Sequence, residues 1–347
     1  MKNKKWIALA AAVVLAVTAL PMGVFAAKKD STEEKLTKVT LNEVAHSIFY
    51  APQYVAIEEG YFAEKGLDLT LVTGFGADKT MTAVISGEAD IGFMGAEASV
   101  YAYQEGATDP VVNFAQLTQR AGNFLVAREE MPDFKWEDLK GEKVLGGRKG
   151  GMPEMVFEYI LKKNGMDPQK DLTIDQSIDF GSTAAAFTSD DSAAYTVEFE
   201  PSATILEKEG AGYVVASLGE ASGYVPYTSY STKASYMKEN PEIIQKFTDA
   251  LQKGMDYVQS HTPEEIAEVI APQFKETDLE TITAIVKRYY DQDTWKENLI
   301  FEKDSFELLQ DILEDAGELT DRTAYENLVH TEYAQKACRK IKNSLES

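Results

Sequence analysis

Glu43, His46, Ser47 and Tyr50 stand close together, at and just past the end of the alternating run 39–44. A carboxylate beside an imidazole can orient a proton or hold a cation, and a phenol offers both a ring face and a hydroxyl. Read as metal ligands, Glu43 and His46 lack a third partner, because no further His or Cys is near them in sequence. Gly76 and Ala77 follow a second alternating run, 67–71, and Glu97 follows a third, 89–94. Farther on, Gly150, Gly151 and Met152 come after the run 143–146, while Glu198, Phe199 and Glu200 close the run that starts at Ala193. Glycines let a backbone approach a ligand closely, helix starts present free N–H groups, and carboxylates accept from amines. Each residue also has a plainer reading. Gly74 and Gly76 suit a turn, Asp78 and Glu97 suit the positive end of a helix, Glu43 and Glu200 suit a solvated surface, and Phe199 suits a core. There is no Gly-x-Ser-x-Gly elbow and no phosphate-loop lysine motif, and Cys338 has no histidine near it in sequence, so nucleophilic catalysis lacks its parts.

The elements that must position these residues follow from periodicity. Strands are expected at 39–44, 67–71 and 89–94, with helices at 51–59, 77–86 and 96–105. Pro52 fits a first helical turn and Gly60 the residue past a helix end. The order βαβαβα predicts a parallel sheet covered by helices on both faces. A smaller α/β unit begins near Asn123, with strands at 124–127, 143–146, 172–174, 193–199 and 212–216 and helices at 152–164 and 203–209. From Tyr227 onward the spacing turns helical, at 241–260, 263–272, 279–290 and 306–316. In open α/β sheets ligands bind beyond the carboxyl ends of the strands, and that is where every candidate above lies.

Composition narrows the class. The chain has 347 residues, with 34 Lys and Arg against 57 Asp and Glu, a net charge of −23. Nucleic-acid binding needs clustered basic residues, so it is set aside. One cysteine cannot form an internal disulfide, and three histidines make a zinc site a poor reading, so no cofactor or metal is expected. At the N-terminus Lys2, Lys4 and Lys5 precede an apolar run, 6–20, and the small-residue site Val24-Phe25-Ala26. This is the layout of a secretory signal peptide, 1–26, cut near Ala26, with 27–37 as a tether; the alternative is an anchor helix that is never cut. No cysteine near the cut could carry a lipid. The expected location is extracytoplasmic.

Tyr50-Ala-Pro-Gln-Tyr-Val-Ala-Ile-Glu-Glu-Gly-Tyr-Phe62, with Gly66-Leu67, resembles the opening of substrate-binding proteins of ABC importers. The branch is that of nitrate, sulfonate, taurine and thiamine-pyrimidine precursors. Ser86-Gly-Glu-Ala-Asp-Ile-Gly92, Asp138-Leu-Lys-Gly141 and Phe199-Glu-Pro201 are similar to further motifs of that branch, and the likeness runs from about Lys38 to Trp295. It implies a periplasmic-binding-protein type II fold of two α/β lobes, 38–120 with 225–347 and 121–224, and C-terminal helices packed on lobe one. Two crossovers, near Gln119–Asn123 and Gly223–Tyr230, bring Asn123 and Tyr230 into the candidate site. The implied protein is a monomer that captures a small molecule and hands it to an ABC permease. One departure is Thr188-Ser-Asp-Asp-Ser-Ala193, where the resemblance leads to a glycine-rich turn. The acids of the expected cleft favour an aminopyrimidine or other nitrogen heterocycle. A sulfonate, taurine or nitrate at the helix start of Gly150 and Gly151 stays open. So does a thiamine-pyrimidine synthase-like enzyme, although the cysteine cluster of such enzymes is missing here.

Overall fold

The computed structural model describes residues 35–179 and 181–345, with side chains to residue 339. The expected signal peptide and most of the tether lie outside the described residues. Strands β1 (Thr37–Glu43), β2 (Leu67–Thr73), β3 (Ile91–Gly95) and β4 (Val111–Thr118) are joined by helices α1 (Ala51–Glu58), α2 (Tyr61–Glu64), α3 (Ala77–Ser86) and α4 (Glu97–Gln104). Strands β5 (Phe124–Ala127), β6 (Lys143–Leu145), β7 (Thr173–Asp175), β8 (Tyr195–Glu198) and β9 (Tyr213–Ser217) alternate with α5 (Met152–Lys163), α6 (Thr183–Ser189), α7 (Ser202–Lys208) and α8 (Leu218–Ser222). Then come β10 (Thr228–Lys233) and helices α9 (Ala234–Glu239), α10 (Pro241–Ser260), α11 (Pro263–Ile270), α12 (Leu279–Asp291), α13 (Lys303–Asp315), α14 (Tyr325–Leu328) and α15 (Glu332–Leu345). None of the described helices is long and apolar enough to cross a membrane.

Two five-stranded sheets result, ordered β2-β1-β3-β10-β4 and β7-β6-β8-β5-β9. They share one plan. Three strands run parallel, a fourth antiparallel strand arrives directly from the other half of the molecule, and a fifth pairs with it. The chain passes between the sheets at 119–123 and 223–227, and these passages bond to each other through Val225 N–H to Gln119 O at 2.9 Å.

The first sheet is therefore mixed, not parallel throughout. Strand β10 escaped the periodicity reading because its Thr-Ser-Tyr-Ser-Thr sequence has no alternation of hydropathy. It is buried nonetheless, because its hydroxyls find partners: Ser229 Oγ donates to Asn113 Oδ1 at 2.6 Å and Thr232 Oγ1 to Asp90 O at 2.6 Å. Strand β4 is buried along its whole length and equally lacks a period of two. The late helices do more than cover the first sheet. Helix α10 buries Ile244, Phe247, Leu251, Met255 and Val258, an i, i+3/i+4 stripe, against α1. Helix α15 packs on β4, but α13 packs on α5 of the second half.

Candidate functional site

The carboxyl ends of β1, β3, β6 and β8 meet between the two sheets and enclose two adjoining chambers. The first, about 80 Å³, is lined by Tyr50, Gly76, Ala77, Gly95 and Glu97 from the first sheet's loops, and by Arg148, Gly151 and Met152 from the second. Tyr227 of the return passage and Thr228, the first residue of β10, complete it. The second, about 200 Å³, is lined by His46, Ser47 and Phe75 from one side and by Thr183, Glu198 and Glu200 from the other, with Asn123 of the outgoing passage between them. Val44, Gly147, Pro153 and Phe199 belong to both chambers and form the waist. A larger polar hollow of about 580 Å³ lies elsewhere, between α5 and residues 314–317, away from the strand ends.

Helix α5 opens on the first chamber. Gly151 is its N-cap, Met152 and Pro153 start it, and Gly147 needs its left-handed φ of 83° to turn the chain out of β6 toward it. The loop is gripped from both sides: Tyr101 Oη of α4 donates to Gly150 O at 3.0 Å, and Gly150 N–H donates to Glu154 Oε2 at 3.1 Å. Gly150 itself lines neither chamber. Ser47 Oγ donates to Glu200 O at 3.1 Å across the second chamber, so the two halves touch over the site.

The acids divide sharply. Glu97 is 3% exposed and its Oε2 has no hydrogen-bond partner. Burial pushes its pKa up to about 7, against the pull of its own backbone, Arg148 and the Met152 backbone. Glu198 is equally buried and also raised to about 7 by burial, with the Thr196 and Thr183 hydroxyls pulling it down. Thr196 Oγ1 donates to it at 2.6 Å. Glu200, although on the second chamber's wall, is committed to the fold. It accepts from Arg288 at 2.6 Å and caps α7 through Thr204 N–H at 3.0 Å. Burial raises its pKa, opposed first by the Arg288 charge.

Besides Gly150, two sequence candidates sit outside the chambers. Glu43 is wholly buried beneath the second chamber and accepts from Gln53 at 2.8 Å, Tyr54 at 2.8 Å, Thr73 at 3.1 Å and His46 at 2.8 Å. Those donors consume its acceptor capacity, so it anchors the wall rather than meeting a ligand. Tyr230 lies in the core, stacked on Phe93 at 4.2 Å with its hydroxyl donating to Gln53 at 2.8 Å. His46 does line the second chamber, yet both ring nitrogens are taken, Nδ1 by Glu43 and Nε2 by Gln273 O at 3.0 Å. Two acceptors require two N–H groups, and the Glu43 bond foremost raises the His46 pKa. Tyr50 stays a neutral phenol, since burial and then the Glu43 and Glu97 charges push its pKa up. Asn123 accepts from Tyr227 Oη at 2.5 Å. Asp190 and Asp191, the unexpected acids, are exposed and line neither chamber.

Sequence reasoning passed over Arg148, Tyr227, Thr183 and Phe75. Arg148 had a signal, as a cation in a glycine-rich stretch before a helix start. Tyr227 and Thr183 had none, because β10 and α6 were not foreseen.

The NMT1/THI5-like family model matches residues 48–266. The chain belongs to that family. A relative in Bacillus subtilis, the binding protein YtlA, is 46% identical over 90% of this chain and 93% of its own length. A more distant one is the riboflavin-binding protein RibY of Chloroflexus aurantiacus, 25% identical over 66% of this chain and 65% of its own. Among solved structures, the alkanesulfonate-binding protein SsuA of Xanthomonas axonopodis, bound to MOPS, superposes with a TM-score of 0.68. It is 15% identical and covers 86% of this chain and 99% of its own, a likeness of fold. The periplasmic-binding-protein fold expected from sequence is the fold the chain has.

Proposed function

We propose that the protein is an extracytoplasmic solute-binding protein that encloses a small molecule between two lobes and delivers it, unchanged, to an ABC-importer permease. The observation that carries this reading is a cavity lined from both sheets and bridged by Ser47 and Glu200. A ligand favours closure by its differential affinity for the closed form, and contacts from both sides supply that difference. The lobes are 38–120 with 225–347 and 121–224, the passages at 119–123 and 223–227 being their hinge. Residues 1–26 serve as the export signal, and the mature chain works as a monomer.

For the ligand, a nitrogen heterocycle is favoured over a sulfonate or nitrate. Tyr50, Phe199 and Tyr227 offer ring faces, while Glu97 and Glu198 offer acceptors, or donors when protonated. RibY, named for a heterocyclic ligand, is in keeping with that. Arg148 and the α5 N-terminus would serve an anion, but Glu97 occupies the same chamber.

Purified chain would be incubated with a mixed pool of small metabolites, gel-filtered and denatured, and the released solutes identified by mass spectrometry. Stoichiometric recovery of one unaltered solute supports the reading. A time-dependent product, or no retained solute from pools of every class, contradicts it. N-terminal sequencing of exported protein checks the signal: a start at or near Ala27 is expected, and full-length protein outside the cell would refute cleavage.

A further inference from the structure

The charges left over inside the cleft say what a ligand must bring. The charged side chains on the two chambers are Glu97 and Arg148 in the first and His46, Glu198 and Glu200 in the second. Three of these are already answered by the protein. Arg148 faces Asp78 at 3.8 Å, His46 sits between Glu43 and Gln273 O, and Glu200 holds Arg288. Glu97 and Glu198 form no ion pair among the described residues. Both are at least nine-tenths buried, and the Glu97 Oε2 has no hydrogen-bond partner. Room for that carboxylate is provided by Gly95, where any Cβ would collide with it. The two acids lie in different chambers, and the waist between them is Val44, Gly147, Pro153 and Phe199, with no charged group.

We infer that the ligand is two-headed: it carries a hydrogen-bond donor at each end, one for Glu97 and one for Glu198, joined by a short flat apolar middle that crosses the waist beside Phe199. This rests on the solute-binding reading and narrows it to molecules with an amine or amine-like group at both ends. Backbone N–H groups of Glu97 and Met152 and the Arg148 charge favour the ionised Glu97 only in part, and its Oε2 still lacks a donor. A ligand donor there removes the cost of that buried, unsatisfied oxygen, whereas an anion beside it would add to it. With pKa values raised to about 7, each acid carries a proton in part of the population near neutrality; a cationic head displaces that share, and binding releases it to solvent. Arg148 and the Tyr50 phenol face Glu97, and the Thr183 and Thr196 hydroxyls face Glu198. His46, whose pKa is raised foremost by its bond to Glu43, shares the second chamber, so proton release is assigned to the acids by its loss in the two Gln variants.

Three probes with one ring separate the possibilities: benzylamine with one head, 1,4-bis(aminomethyl)benzene with two, and phenylmethanesulfonate with an anionic head. Calorimetric titration of the full chain at pH 7.5 in buffers of different ionisation heat reads both affinity and proton release. The diamine is expected to bind about tenfold or more tighter than benzylamine and to release protons. Glu97→Gln and Glu198→Gln should each bring it down to the benzylamine level. Equal affinity for one and two heads, failure of the diamine to bind, or indifference to both substitutions would overturn the inference. Tight binding of the sulfonate alone would also overturn it while leaving solute capture standing, and the metabolite-pool experiment tests that capture independently.

Discussion

Burial changes what an acid can do, and Glu97 and Glu198 are the instances that matter here. Their pKa values of about 7 stand above the ordinary carboxylate value of 4.5. A folded-state pKa raised in this way means that the native chain binds the proton more tightly than the unfolded chain does. Stability is therefore highest below the unfolded pKa and falls as pH rises toward 7. Realised in full, each shift is worth about 3 kcal/mol between those limits. Denaturant unfolding of the unliganded parent and of Glu97→Gln at pH 5 and pH 8 checks this: the parent should lose more stability on going to pH 8. Identical pH dependence would contradict the assignment. The sequence made these acids visible through their position after strands; Glu198 and Glu200, two apart, would share a face of a strand, but Pro201 ends the strand and can turn Glu200 away. It could not separate Glu43 from Glu97, because the donors that claim Glu43 come from Gln53, Tyr54 and Thr73, whose convergence is a product of packing.

At the scale of elements, close approach is set by small residues. In α10, a Cβ at Gly254 would strike the Pro52 carbonyl and crowd Ala56 of α1, so the two helices meet there backbone to backbone. Gly254→Ala gains helix propensity but forces α10 off α1, and a net loss of about 1–3 kcal/mol is expected in denaturant unfolding. A neutral or stabilising result would mean that the contact yields easily. Helices were legible wherever apolar residues recur at helical spacing, as in α3, α10 and α12. What escaped was backbone held by polar side chains: β10, whose buried face is hydroxyls satisfied by Asn113 and Asp90, and α6, a short run of small residues. Hydropathy carries no record of such pairings.

Across the whole molecule, α12 ties the halves together. Arg288 bonds Glu200 at 2.6 Å and Glu207 at 2.9 Å, Tyr289 Oη donates to Gly122 O at 2.9 Å, and Gln292 Nε2 to Ala121 O at 3.2 Å. Removing the guanidinium strands the Glu200 charge in a buried place. Arg288→Met should cost about 2 kcal/mol at pH 8, at the low side for a buried pair because the arginine is about a third exposed. The cost should shrink at pH 5, where the unpaired carboxyl takes a proton. A cost that does not change with pH would place the loss in packing instead. The two-sheet plan and both passages between the sheets follow the expectation drawn from resemblance, whereas the bridging role of α12 and α13 depends on contacts far apart in sequence.

Solute capture by this protein requires a molecule held at the waist of the two chambers. A thermal-shift panel on the full chain, covering aminopyrimidines, thiamine, sulfonates, nitrate and polyamines, run in parallel on Phe199→Ala, tests this most directly. One class is expected to raise the parent's Tm, and the rise is expected to be largely lost in Phe199→Ala. A rise of the same size in both proteins would place the binding elsewhere and refute capture at the waist.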